Sequence, residues 1–181
     1  EETPLLLRSN LKALRLPTML AEYGKLAGEA TDSNQDYLDY LLRLTELELA
    51  TRSANALQAR IKQAGFPIQK DLDAFDFSAA PGLSKPKILE LGRCGWIDQR
   101  QNCCLLGSSG TGKTHLAIAI AYRAIQHGAT AFFTTAAHLI DELSAASLQG
   151  RVRETLPKYL QPHVLVVDEV AKRNLELTQS L

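Results

Sequence analysis

The residues Gly107-Ser108-Ser109-Gly110-Thr111-Gly112-Lys113-Thr114 fit the pattern G-x-x-x-x-G-K-[ST], and each type in it has a chemical task. The glycines let the backbone turn its N–H groups toward a phosphate, and a helix that follows adds the positive end of its dipole. Lys113 brings a mobile cation to the β and γ phosphates, and Thr114 offers a hydroxyl to Mg²⁺. Average residue frequencies produce such a pattern in on the order of 1% of chains this long. Its position argues further, because it follows the apolar stretch Asn102-Cys103-Cys104-Leu105-Leu106 and precedes an amphipathic one.

A second stretch supplies what the first lacks. Val164-Leu165-Val166-Val167 is an apolar run that ends in two carboxylates, Asp168 and Glu169. At the end of a buried strand, Asp168 would belong to the Mg²⁺ shell, and Glu169 would orient or deprotonate the water that attacks a γ phosphate. The two features together predict a site for a nucleotide and Mg²⁺. Gly107, Ser108, Ser109, Gly110, Thr111, Gly112, Lys113 and Thr114 hold the nucleotide, Thr114 and Asp168 hold the metal, and Lys113 and Glu169 serve catalysis.

Other reactive types are read as structural. His115, His138 and His163 lack the i, i+4 pairing of a metal site, and Ser108-Ser109 lacks the spacing of a hydrolase nucleophile elbow. Thr134 and Thr135 end a strand, and capping the next helix is favoured over reaching a partner or DNA. Cys94, Cys103 and Cys104 are odd in number and lack metal-ligand spacing, so they are expected to be buried, reduced thiols. Two loose basic clusters, Arg8, Lys12 and Arg15, then Arg151, Arg153 and Lys158, are read first as solvated helix faces, with phosphate-backbone contact as the alternative.

The elements that must position these residues follow from periodicity. Residues 1–65 read as a helical region, with Pro4 and Pro17 in first turns and a long amphipathic helix running to Gly65. Ser33 with Asp36 is a possible capping box for that helix, and Tyr37, Tyr40, Leu41, Leu44 and Leu47 mark its apolar stripe. Residues 66–98 read as a linker with apolar anchors at Leu72, Phe75 and Phe77, then a short docking helix near 85–93. From 99 to 181 helix and strand alternate: strand 102–106, helix 113–127, strand 130–134, helices 137–145 and 149–159, strand 163–167. That alternation predicts an α/β fold with a parallel sheet.

Composition narrows the rest. Hydrophobic residues make up 45% and charged residues 22%, which is ordinary globular usage and argues against a disordered spacer. Twenty basic residues cancel twenty acidic ones, so any polyanion must be met by a local patch rather than by net charge. No apolar run reaches the length of a membrane span, the start at Glu1-Glu2-Thr3 has no signal pattern, and the cysteine usage suits the cytoplasm.

The run from Cys104 to Ala117 resembles the loop of IstB-like transposition helper ATPases and of the related DnaC helicase loaders, both AAA+ proteins. The likeness extends through Leu72–Phe77, Gly95-Trp96-Ile97, Phe132–Ala137 and Val166–Val170. Leu11–Pro17 is similar to the IstB N-terminal region. The resemblance implies a helical region followed by an AAA+ αβα domain, in a helper that binds ATP, assembles as a homo-oligomer on DNA and supports the transposase of its insertion sequence. After Val170 the likeness to the family breaks off: its polar sensor and trans-acting arginine are not found before Leu181. The chain is therefore expected to be a shortened copy, with an incomplete sheet and impaired hydrolysis. In the AAA+ strand order 5-1-4-3-2, strands 102–106 and 163–167 would then flank a gap. A DnaC-like helicase loader and a non-catalytic helical interaction module are the alternatives.

Overall fold

Leu16 precedes a helix whose first residue is Pro17, and it has no side-chain oxygen to cap that helix. The amides exposed there are met from far along the chain. Glu48 Oε2 accepts from Thr18 N at 2.8 Å and Met19 N at 2.9 Å, while Glu48 Oε1 accepts from Arg52 Nε at 2.9 Å. Arg52 Nη2 also donates to the Arg15 carbonyl. The Glu48 side chain is nearly closed off from solvent, at 4% exposure. Burial opposes its ionisation, but the Met19 and Thr18 amides and Arg52 outweigh that and hold its carboxyl below the usual range.

The computed structural model describes residues 2–170. They form two units, residues up to Ala56 and residues from Leu57 on. The first contains α1 (Glu2–Ala13), α2 (Pro17–Asp32) and the first part of α3 (Tyr37–Ala64). Leu11, Leu26, Ala30 and Leu44 are its buried apolar residues. The predicted capping box does not form. Ser33 Oγ donates to Glu29 O at 2.5 Å, which makes it the end of α2, and Asn34 then turns the chain at φ 50°. Asp36 alone starts α3, its Oδ1 accepting from Tyr37 N at 2.7 Å and its carbonyl from Tyr40 N. Of the predicted stripe, Leu44 is buried, whereas Tyr37 and Leu41 are exposed.

The second unit holds α4 (Lys85–Gly92), α5 (Gly95–Asp98), α6 (Lys113–Gln126), β1 (Ala131–Thr135), α7 (Ala136–Leu148), α8 (Val152–Thr155), α9 (Pro157–Leu160) and β2 (Val164–Asp168). This is the α/β class expected, with β1 and β2 paired in parallel, Ala131 opposite Val164 and Thr135 opposite Asp168. Thr130 and His163 set that register: His163 Nδ1 accepts from Thr130 N at 3.1 Å, and Thr130 O accepts from Val164 N at 3.0 Å. Helix α6 packs two ways. Ala121, Ala124 and Ile125 join Ala131, Val164 and Val166 on the sheet side, and Leu116, Ala119 and Ile120 join Leu72 and Ile88 on the other.

Two expectations are corrected. The predicted helix over 149–159 is two short ones, broken at Pro157, whose ring cannot continue a helix. Tyr159 then packs edge-on against Phe132 and donates to Glu142 of α7, and burial together with that carboxylate pushes its phenol up to about 12. The segment 102–106 is not a strand. A strand needs a ladder partner, and among the described residues the sheet consists of β1 and β2. Cys103 and Cys104 are accordingly exposed rather than buried, while Cys94 is buried and all three are free. The stretch from Ala171 to Leu181, which carries the expected departure from the family, lies outside the described residues.

The lowered carboxyl pKa gives Glu48 a pH signature. Its contribution is complete above the ordinary value of 4.5 and is lost as the pH falls through the lower folded value. Glu48→Gln is expected to melt below the unsubstituted chain at pH 7 and to differ less from it at pH 3, as read by circular dichroism. An equal difference at both pH values would exclude the ionised cap.

Candidate functional site

Helix α6 starts from Gly112, whose φ of 83° lies in the left-handed region and which offers no side-chain cap to the first turn. Its opening amides therefore face the preceding loop, where Gly110 also has a positive φ, 77°. Gly112 has a second reason to be glycine, because a Cβ there would stand 2.9 Å from Phe75 Cε2. Within the loop, the Ser108 carbonyl accepts from Lys113 Nζ at 2.5 Å and from Thr111 Oγ1 at 2.9 Å. The ammonium of Lys113 is thus held at the Ser108 carbonyl of the loop.

The two predicted stretches meet at one contact. Thr114 Oγ1 donates to Asp168 Oδ2 at 2.8 Å across 54 residues, and Asp168 Oδ1 accepts from Glu169 N at 2.9 Å. Asp168 is the last residue of β2, so the strand delivers its carboxylate to the first turn of α6. Glu169 follows at φ 59°, exposed beside it. The structure brings together Thr114 and Asp168, with Glu169 at the same strand end, while the Lys113 ammonium is held at the Ser108 carbonyl.

This donor set suits a hard, oxygen-preferring cation. Thr114 and Asp168 are hard oxygen donors, and Mg²⁺ is bound through one or two such groups, waters and substrate phosphates rather than a protein cage. Among the described residues no group of three or more His, Cys, Asp or Glu could hold a metal ion. The residues therefore fit a magnesium ion that arrives with a phosphate ligand.

Thr135 caps α7, its Oγ1 accepting from His138 N at 3.2 Å, as expected. His115 has a role that spacing did not reveal. Its ring meets Phe75 edge-on at 5.1 Å, and its Nε2 lies 3.4 Å from the Asp71 carbonyl oxygen. Phe75 was legible only as an apolar anchor in the linker. Its placement on Gly112 depends on contacts between segments that sequence periodicity does not connect.

A family model described as IstB-like ATP binding protein matches residues 9–180, nearly the whole chain. The chain belongs to the IstB-like ATP-binding family. Among its relatives is a protein described as the candidate ATP-binding protein of insertion sequence IS5376 in Geobacillus stearothermophilus, 36% identical over 90% of this chain and 65% of the relative. The counterpart from insertion sequence IS232 of Bacillus thuringiensis subsp. berliner is 30% identical over 91% of this chain and 66% of its own length. The counterpart from IS21 of Pseudomonas aeruginosa is 30% identical over 88% and 60%. This IstB-like chain thus spans about two thirds of the length of the first relatives it matches. No helix among its described residues is long and apolar enough to cross a membrane.

Gly112→Ala places a side chain in the left-handed region, which costs roughly 1–2 kcal/mol, and presses it on Phe75. Urea unfolding is expected to show at least that loss. Phe75→Leu in the same chain should recover only the steric part. Full recovery would mean that the backbone conformation carries no penalty.

Proposed function

We propose that the loop Gly107–Thr114, together with Asp168 and Glu169, binds Mg-ATP, and that the chain is the nucleotide-binding part of a transposition helper. The observation that carries this reading is the 2.8 Å contact between Thr114 Oγ1 and Asp168 Oδ2, which puts the metal donors of two distant motifs at one helix start. Lys113 neutralises the β and γ phosphates, and the backbone amides from Gly110 to Thr114 surround them. Thr114 and Asp168 would hold Mg²⁺, which when bound would supply charge neutralisation on the phosphate oxygens. Glu169 would take the proton of an attacking water or orient it.

The same family membership supports a reading of the partners. The relatives are described by insertion sequences, which favours a transposase as the protein partner over a replicative helicase, with work in the cytoplasm on DNA and as a homo-oligomer. A local charge pattern supports the DNA contact. Of the basic residues up to Ala56, Lys25, Arg43 and Arg52 each have a carboxylate within 4.0 Å. Arg8, Lys12 and Arg15 have none among the described residues, and no acidic residue stands between Thr3 and Ala21. Arg8 and Lys12 share one face of α1 at i, i+4, and Arg15 stands in the turn that follows, so a phosphate backbone can replace the missing carboxylates.

Mg-ATP at a hundred times its Kd is expected to stabilise the chain by about 2.7 kcal/mol, and Lys113→Ala should abolish the shift in thermal unfolding. An equal shift in that variant would overturn the assignment of the loop. For DNA, replacing Arg8, Lys12 and Arg15 with Ala should reduce the slope of log K against log salt by about 1 per residue. Anisotropy titrations on duplex DNA between 50 and 200 mM salt give that slope, and an unchanged one would place the DNA contact elsewhere.

A further inference from the structure

The segment from Asp71 to Phe77 lies along one face of α6, and its contacts there differ in kind. Leu72 is buried in the cluster of Leu116, Ala119 and Ile120. Arg123, in the last turn of α6, pairs with Asp73 at 2.6 Å and with Asp71 at 3.5 Å. His115, in the first turn, meets the Asp71 carbonyl and the Phe75 ring. The Phe75 ring lies against Gly112, the last glycine of the loop, and is braced from behind by Phe77 at 5.0 Å.

The loop has reason to need such support. It is exposed and rich in glycine, the residue with the most conformational freedom to lose when its amides converge on a ligand. Holding the convergent form in advance removes part of that loss from binding. A flat ring against the Gly112 backbone limits the left-handed turn at the point where the loop becomes helix. Leu72 is the apolar anchor of the segment. The Arg123 pairs add little stability, because the side chains of Arg123, Asp71 and Asp73 are 30%, 36% and 78% exposed. Their geometric effect is to fix where the backbone at 71–73 crosses α6, and so where Phe75 falls two residues later.

We infer that residues 71–77 form a positioning strap for the 107–114 loop, in which Arg123 with Asp71 and Asp73 aims the segment and Phe75 holds Gly112. The inference rests on the reading of that loop as a Mg-ATP site and adds a control on its affinity. Affinity scales with the fraction of molecules whose loop is competent. A segment at least 30 positions before the start of the loop therefore sets how tightly nucleotide is held.

The test uses the whole chain and two readouts. Mg-ATP titrations by calorimetry are expected to show affinity falling on the order of tenfold in Phe75→Ala and in Arg123→Ala, with Phe75→Tyr close to the unsubstituted chain. Hydrogen exchange without nucleotide should be faster in both alanine variants at the Leu116 amide, which donates to the carbonyl of the loop's Gly112 at 2.9 Å. Arg123→Ala is expected to melt within a few degrees of the original, so its loss of affinity is not loss of fold. If Phe75→Ala does not fold, Arg123→Ala still decides the question. Unchanged exchange at the Leu116 amide, or a lower melting temperature with unchanged affinity, would overturn the strap. If the unsubstituted chain does not bind Mg-ATP, the nucleotide reading fails on its own, and exchange at the Leu116 amide still decides whether the segment positions the loop.

Discussion

Helix α6 is buried along two of its faces, and the arrangement of the second unit follows from that constraint. One stripe, Ala117, Ala121, Ala124 and Ile125, lies in the cluster shared with the sheet, and the other, Leu116, Ala119 and Ile120, lies against the segment from Leu72 to Leu91. The alanines let both layers approach closely, and Ala119 and Ala124 have no exposed surface. A helix held on both sides has little freedom to rotate. Its first turn, with Lys113 and Thr114, is therefore aimed by packing along its whole length.

The carboxylate at the site arrives by a separate route. Asp168 reaches Thr114 because β2 is held in one register against β1, and that register is tied at the far end of the pair by Thr130 and His163. A slip of one residue would turn Asp168 to the other face of the strand. The contact between Thr114 and Asp168 thus reports the placement of both α6 and β2. In the first unit a comparable long-range contact joins Glu48 to the start of α2, where Leu16 and Pro17 leave amides that nothing nearby can satisfy.

Much of this was legible in the chain. The pattern from Gly107 to Thr114, the apolar run ending at Asp168, the long helix to Ala64 and the alternation of helix and strand all depend on neighbours within a few positions. For the same reason Thr135 was readable as a cap. The segment 102–106 was misread because apolar composition reports a preference for burial, whereas a strand exists only where another strand pairs with it. Ser33 was misread because a hydroxyl between two helices can serve the end of one or the start of the next, and the left-handed turn at Asn34 decided which.

By itself, the sequence determined most of the elements, the glycine-rich pattern from Gly107 to Thr114 and the family, because these reside in local order and residue type. The tertiary structure decided which distant groups meet: Glu48 with Thr18 and Met19, Asp168 with Thr114, and Phe75 with Gly112. None of these pairs shares a helix face or a strand. Each is brought about by the packing of whole elements, whose directions are set by buried area summed over many residues. No single residue type or spacing encodes that sum.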